Sequence, residues 1–198
     1  PQVSQRGIEL PASPIRKLTP FADQAKKRGM KVYHLNIGQP DLPTPEKALN
    51  AVRKIGRKTL EYSPSQGLKS LRDKFAVYYR KYGIDLSPEQ IIVTAGGSEA
   101  LLATFLTCFD EGDEVIITEP GYANYLGFAK AAGLTVKAVT SRIEDRFALP
   151  SAEDFRKAIT PKTKAILICN PNNPTGYLYS PEELFQLRDL VKEYDLFL

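Results

Sequence analysis

Three short runs combine residue types and spacings that could bind a ligand. The first is Ala95-Gly96-Gly97-Ser98-Glu99, placed between an apolar run and a helical pattern. Two glycines let backbone N–H groups approach an anion, and a helix N-terminus adds partial positive charge. Ser98 can add a hydroxyl, so the run could cradle a phosphate. A tight strand-to-helix turn would need the same glycines for geometry alone. The second run is Glu119-Pro120-Gly121-Tyr122-Ala123-Asn124-Tyr125. An aromatic there can stack on a flat heteroaromatic ring, worth about 0.5–1.5 kcal/mol beyond burial. Taken alone, packing of that aromatic on a sheet is the better reading. The third is Asn170-Pro171-Asn172-Asn173-Pro174-Thr175-Gly176, with three Asn and two Pro in seven residues. Asn amides can cap backbone groups or reach a ligand hydroxyl. A plain turn needs far less, which favours a ligand role.

Other chemistries find little support. The glycine run lacks the Gly-Lys-Ser/Thr of a P-loop and the Gly-x-Gly-x-x-Gly of a dinucleotide site. One His and two distant Cys, Cys108 and Cys169, argue against a zinc site. Those cysteines read as buried free thiols of a reducing compartment. The 198 residues carry 27 Lys+Arg against 23 Asp+Glu, a net charge of +4. Lys26-Lys27-Arg28 and Arg53, Lys54, Arg57, Lys58 are the densest basic groups. No aromatics interleave them, so they read as solvated faces, and no nucleic-acid partner is expected. No apolar run approaches the roughly 20 residues of a membrane helix, and Pro1-Gln2-Val3-Ser4 shows no signal core. A cytoplasmic protein with no membrane partner is expected.

The elements that must position these runs follow from periodicity. The first forty residues are broken by Pro11, Pro14 and Pro20, with a short helix over 21–28 and a strand over 32–37. A helix over 45–58 starts at Thr44 and Pro45, and a loop covers 61–67. The next helix, 68–82, carries Leu68, Leu71, Phe75, Tyr78, Tyr79 and Tyr82 as an apolar stripe that reads as core. From residue 90 strands and helices alternate. Strands are predicted over 90–94, 114–118, 134–140 and 163–169, and helices over 98–109, 122–132, 151–159 and 180–194. Ser151 and Ser180 stand as N-caps, the latter with Glu183 closing a capping box. The alternation predicts an α/β fold with a mainly parallel sheet flanked by helices. Leu196-Phe197-Leu198 reads as the start of another buried strand, and the expectation is that the 198 residues are the N-terminal portion of a longer protein.

Asn170–Gly176 comes with four further runs in order: Ile37-Gly38-Gln39-Pro40-Asp41, Tyr62–Leu68 followed by Leu71-Arg72, Val93–Leu101, and Glu119–Tyr122. With these the chain resembles the fold type I pyridoxal-phosphate enzymes, specifically class I aminotransferases of the aspartate aminotransferase kind. The resemblance runs over essentially all 198 residues. It implies pyridoxal 5'-phosphate as cofactor, with Gly97 and Ser98 holding its phosphate and Tyr122 stacking on its ring. Many relatives have Trp or Phe at the position of Tyr122. Asn173 would donate to the cofactor's 3′ oxygen and, with Gly38, border the substrate, Gly38 meeting the α-carboxylate. Tyr62 would reach the phosphate of the other subunit, implying a two-fold homodimer with shared sites.

The reaction so implied moves an amino group between an amino acid and a 2-oxo acid, aspartate or another common L-amino acid with 2-oxoglutarate. Arg16 could face an acidic side chain or be a surface charge. The resemblance divides the chain into an N-terminal arm and small-domain segment, 1–44, and a large cofactor domain, 45–198. It places the Schiff-base Lys, the Asp pairing with the pyridinium nitrogen and the carboxylate-binding Arg beyond Leu198. No catalytic residue is therefore assigned within the chain, and the 198 residues alone are expected to be inactive. The same runs serve a C–S lyase of the same fold type, and an inactive fragment that only binds a phosphate-bearing ligand is a further alternative.

Overall fold

The computed structural model describes residues 1–11, 13 and 15–198; the expected break at Pro14 lies outside them. In chain order the helices are α1 (Gln5–Glu9), α2 (Thr19–Lys27), α3 (Glu46–Arg53), α4 (Lys69–Arg80) and α5 (Gly97–Cys108). Strand β1 (Glu114–Glu119), α6 (Asn124–Ala131), β2 (Thr135–Thr140), α7 (Ala152–Ala158), β3 (Thr163–Leu167) and α8 (Pro181–Tyr194) follow. Short 3-10 turns lie at Arg16–Leu18 and Pro88–Gln90. Contacts divide the chain into two compact units, Pro1–Val32 with Ala100–Leu198, and Tyr33–Glu99.

The first unit is built on a parallel sheet of order β2-β1-β3. β2 pairs with β1 from Glu114↔Thr135 to Glu119↔Thr140. β3 pairs on the other side, ending at Ile117↔Leu167, with a register shift after Glu114. Successive β1 side chains point to opposite faces, and each face has its own core. Val115 and Ile117 pack with Phe105 of α5, Ala129 of α6, Leu134 and Ala165. Ile116 packs with Val139, Phe155 of α7, Ile166, and Leu187 and Leu190 of α8. Helices thus cover both faces, the expected α/β layering. The near-continuous apolar run of β1 follows from that double burial.

Local chemistry sets the helix ends. Ser151 and Ser180 accept from Asp154 N and Glu183 N, and each closes a capping box. Pro181 opens α8, where its missing N–H costs nothing. Gly133 ends α6 at φ +83°, and its N–H bonds Lys130 O at 3.0 Å. Phe197 bridges to Ala165 in parallel on the outer side of β3, so the Leu196–Leu198 run does begin strand pairing.

The second unit departs from expectation. Residues 32–37 and 90–94 form no strand. Both have strand composition, but a strand needs a neighbour to pair with. Among the described backbone bonds of 90–94, Val93 N donates to Gln66 O at 3.0 Å and Ile91 N to Pro88 O at 3.3 Å. The helix expected over 45–58 stops at Arg53, leaving Arg57 and Lys58 beyond it and exposed. The apolar stripe of α4 is not core: Phe75, Tyr78 and Tyr82 are exposed, while Ala76 and Arg72 are buried. Helical spacing shows which side is apolar, not what covers it. Arg72 instead ties two loops, donating from Nη1 to Pro88 O at 2.6 Å and from Nε to Gly67 O at 3.3 Å. Gly67, at φ +90°, lies so close to Val93 that a Cβ would sit 2.6 Å from its Cβ.

Candidate functional site

Ligands of parallel α/β sheets bind beyond the carboxyl ends of the strands. Three loops leave those ends, residues 141–151 after β2 among them, and two of the three carry candidate residues. Residues 120–123 follow β1 and lead to α6, and residues 168–180 follow β3 and lead to α8. The bonds Glu119–Pro120, Asn170–Pro171 and Asn173–Pro174 are cis. Gly121 is required by close approach, since a Cβ there would lie 2.7 Å from Thr118 O.

Asn172 joins the two loops. It is buried, and its Nδ2 donates to Pro120 O and to Thr175 Oγ1, both at 2.9 Å. Its backbone is held by Asn172 N to Tyr177 O and Gly176 N to Asn172 O, each 2.8 Å. Its Oδ1 is buried without a hydrogen-bond partner. Asn170 Oδ1 accepts from Tyr179 N at 3.0 Å. Asn173, by contrast, is exposed and its side chain makes no hydrogen bond among the described residues. Of the three asparagines, Asn170 and Asn172 are engaged within the protein, and Asn173 presents its side chain to solvent.

Tyr122 is half-buried and its hydroxyl accepts from Asn124 Nδ2 at 2.7 Å. Tyr125 meets it edge to face, with centroids 5.2 Å apart at 81°. Burial, followed by the Cys169 thiol beside it, pushes the Tyr125 hydroxyl up to about 12. Cys169 and Cys108 are half-buried rather than buried, and both are free. The Cys169 thiol donates to Pro171 O at 3.3 Å.

In the unit of residues 33–99, Gly97 and Ser98 open α5 and are exposed. No heavy atom lies within 4 Å of a Cβ built on Gly96 or Gly97, so the approach to the helix start is open. Gly96 takes φ +101°, and Thr94 Oγ1 donates to its carbonyl at 2.9 Å. Glu99 turns its carboxylate back to the Ala95 N–H. Gly38 has open space around its α-carbon, and Tyr62 is fully exposed. Arg16, in the first unit, is exposed.

Each unit by itself offers groups suited to a ligand, an anion-binding helix start in the second and an aromatic ring with an amide donor in the first. The α5 start offers uncommitted N–H groups and a hydroxyl on an open side. A half-buried tyrosine and a free amide donor stand on two loops joined to each other. Sequence reasoning singled out Tyr122 and Asn173 but not Asn172, Tyr179 and Arg72, the residues whose side chains hold the loops. The composition of Asn170–Gly176 signalled a site without showing which asparagine serves the fold.

Residues 30–198 match the family model described as aminotransferase class I and II, and the chain belongs to that family. It is 37% identical over 177 residues to the aspartate/prephenate aminotransferase of Thermus thermophilus, covering 88% of this chain and 46% of the relative. It is 37% identical over 198 residues to the aspartate aminotransferase of Thermotoga maritima, covering 99% and 52%. The solved structure of the Thermotoga maritima enzyme superposes with a TM-score of 0.91, covering 98% of this chain and 52% of that one. An alanine aminotransferase from Pyrococcus furiosus superposes with a TM-score of 0.91 at 35% identity, covering 98% and 50%. The chain spans about half the length of the curated relatives it matches.

Proposed function

We propose that the protein is a pyridoxal-phosphate-dependent aminotransferase that exchanges an amino group between an L-amino acid, aspartate foremost, and a 2-oxo acid such as 2-oxoglutarate. The observation that carries this reading is the loop after β3. Asn172 is consumed in holding the loop to Pro120, while Asn173 beside it is exposed with its amide free.

When bound, the cofactor supplies an electron sink for the bonds of the amino acid α-carbon. The roles of this chain follow from its groups. Backbone N–H groups of Gly97 and Ser98 and the Ser98 hydroxyl hold the phosphate dianion at a helix start. Tyr122 covers one face of the ring and excludes water from it. Asn173 donates to the ring's 3′ oxygen, favouring its ionised form. Gly38 presents backbone to the substrate α-carboxylate. Tyr62 serves the phosphate of a second subunit, so a homodimer is part of the proposal. Residues 1–44 serve as arm and small-domain segment, and 45–198 as the cofactor domain. The catalytic Lys, the pyridinium-pairing Asp and the carboxylate-binding Arg are proposed to lie beyond Leu198. Among the described residues no helix is long and apolar enough to cross a membrane; a cytoplasmic setting is part of the proposal.

The test is an amino-donor survey on the full-length protein with pyridoxal phosphate and 2-oxoglutarate. Glutamate formed from aspartate, alanine or an aromatic donor supports the reading and names the substrate. Thiol and pyruvate released from a cysteine thioether, with no glutamate formed, would make the protein a C–S lyase instead.

A further inference from the structure

We propose that Asn172 is a positioning residue for the ring-stacking Tyr122. Its side-chain amide fixes the Pro120–Tyr122 loop against the loop that carries Asn173. The proposal rests on the aminotransferase reading given above.

Asn172 is 7% exposed, and both its backbone N–H and its carbonyl are bonded within its own loop. Its amide therefore has a fixed base from which to act. The orientation of that amide is set by chemistry. Pro120 O can only accept, so the NH2 must face it, at 2.9 Å. This orientation leaves Oδ1 buried without a partner, an energetic cost that the arrangement tolerates. A residue placed for stability alone would not need it. On the receiving side, Pro120 has no N–H to anchor itself, and Gly121 is pressed against Thr118 O. The bond from Asn172 arrives two residues before Tyr122 and sets where that ring stands relative to Asn173, the next residue along the donor's own chain. Losing it would let the two ring contacts move independently. The phosphate contacts at Gly97 and Ser98 would be left alone.

The experiment uses the full-length protein and the variants Asn172→Asp, Asn172→Ala and Thr175→Ala. Three quantities are read: affinity for pyridoxal phosphate, the induced circular dichroism of the bound ring, and competition by inorganic phosphate. Each variant is compared with the wild type at the same pH, which removes the titration of neighbouring groups. At about pH 8 the new carboxylate in Asn172→Asp cannot donate to Pro120 O, and cofactor affinity is expected to fall about tenfold with loss of induced dichroism. Inorganic phosphate should compete as in the wild type. At about pH 5, with the buried carboxyl protonated, its O–H can donate and the dichroism should return. Asn172→Ala should be impaired at both pH values and Thr175→Ala at neither. If Asn172→Ala does not fold, Asn172→Asp carries the test, since its difference from the wild type is read at both pH values. Wild-type behaviour of Asn172→Asp overturns the proposal, as does a parallel loss of cofactor and inorganic phosphate or the lack of recovery at low pH. A wild type that binds no pyridoxal phosphate overturns the functional reading and this proposal together; normal binding by wild type and variants alike overturns this proposal alone.

Discussion

The Thr118 and Tyr179 hydroxyls lie 3.3 Å apart, both residues buried, and link the end of β1 to the loop after β3 across 61 positions of sequence. With Asn172 on Pro120 O, this makes two bonds that hold the candidate site's loops to each other. Tyr179→Phe keeps the ring and strands the Thr118 hydroxyl. It should destabilise the full-length protein by about 1–2 kcal/mol in urea unfolding, and adding Thr118→Val should recover part of the loss.

Tyr125 gives an alkaline signature. Burial, then Cys169, pushes its hydroxyl from the ordinary 10.0 to about 12. Between those values the unfolded chain has lost the proton and the folded chain keeps it. The contribution of Tyr125 is therefore whole below 10.0 and declines as pH rises toward about 12. Tyr125→Phe should flatten that decline, as read by unfolding midpoints across the range.

Glu114 gives the acid counterpart at the other end of β1. Burial raises its carboxyl, but hydrogen bonds from Thr160 and Lys137, the charge of Lys137 and a bond from Thr163 outweigh that and hold it below 4.5. Thr160 Oγ1 donates at 2.6 Å and Lys137 Nζ lies 3.4 Å away. Below 4.5 the unfolded chain takes up the proton first, so the contribution is present above that value and is lost as pH falls. Glu114→Gln should weaken the acid dependence of stability.

Much of the fold of the first unit was legible, and the reasons can be named. The apolar run of β1, the serine caps of α7 and α8 and Gly133 after α6 are local signals, and each element stands where they put it. Residues 32–37 and 90–94 read as strands because composition reports propensity, while pairing depends on a neighbour distant in sequence. The stripe of α4 failed as a core prediction for the same reason. At the candidate site, motif order singles out Tyr122 and Asn173 in the sequence, whereas their surroundings come only from the fold. The tie from Asn172 to Pro120 spans 52 positions and leaves no local mark.

Arg72 shows what such a tie is worth. It holds Gly67 O and Pro88 O from two nitrogens of one planar group, which lysine cannot reproduce. Arg72→Lys should cost about 1–3 kcal/mol of stability and speed proteolysis within residues 60–67.

The most direct test is the absorbance spectrum of the full-length protein with pyridoxal phosphate, before and after addition of aspartate. The expected result is a protein-bound cofactor band that converts to that of the aminated cofactor and returns when 2-oxoglutarate is added, with Asn173→Ala altering the band's pH dependence. A spectrum of free pyridoxal phosphate, unchanged by either compound, would contradict the account.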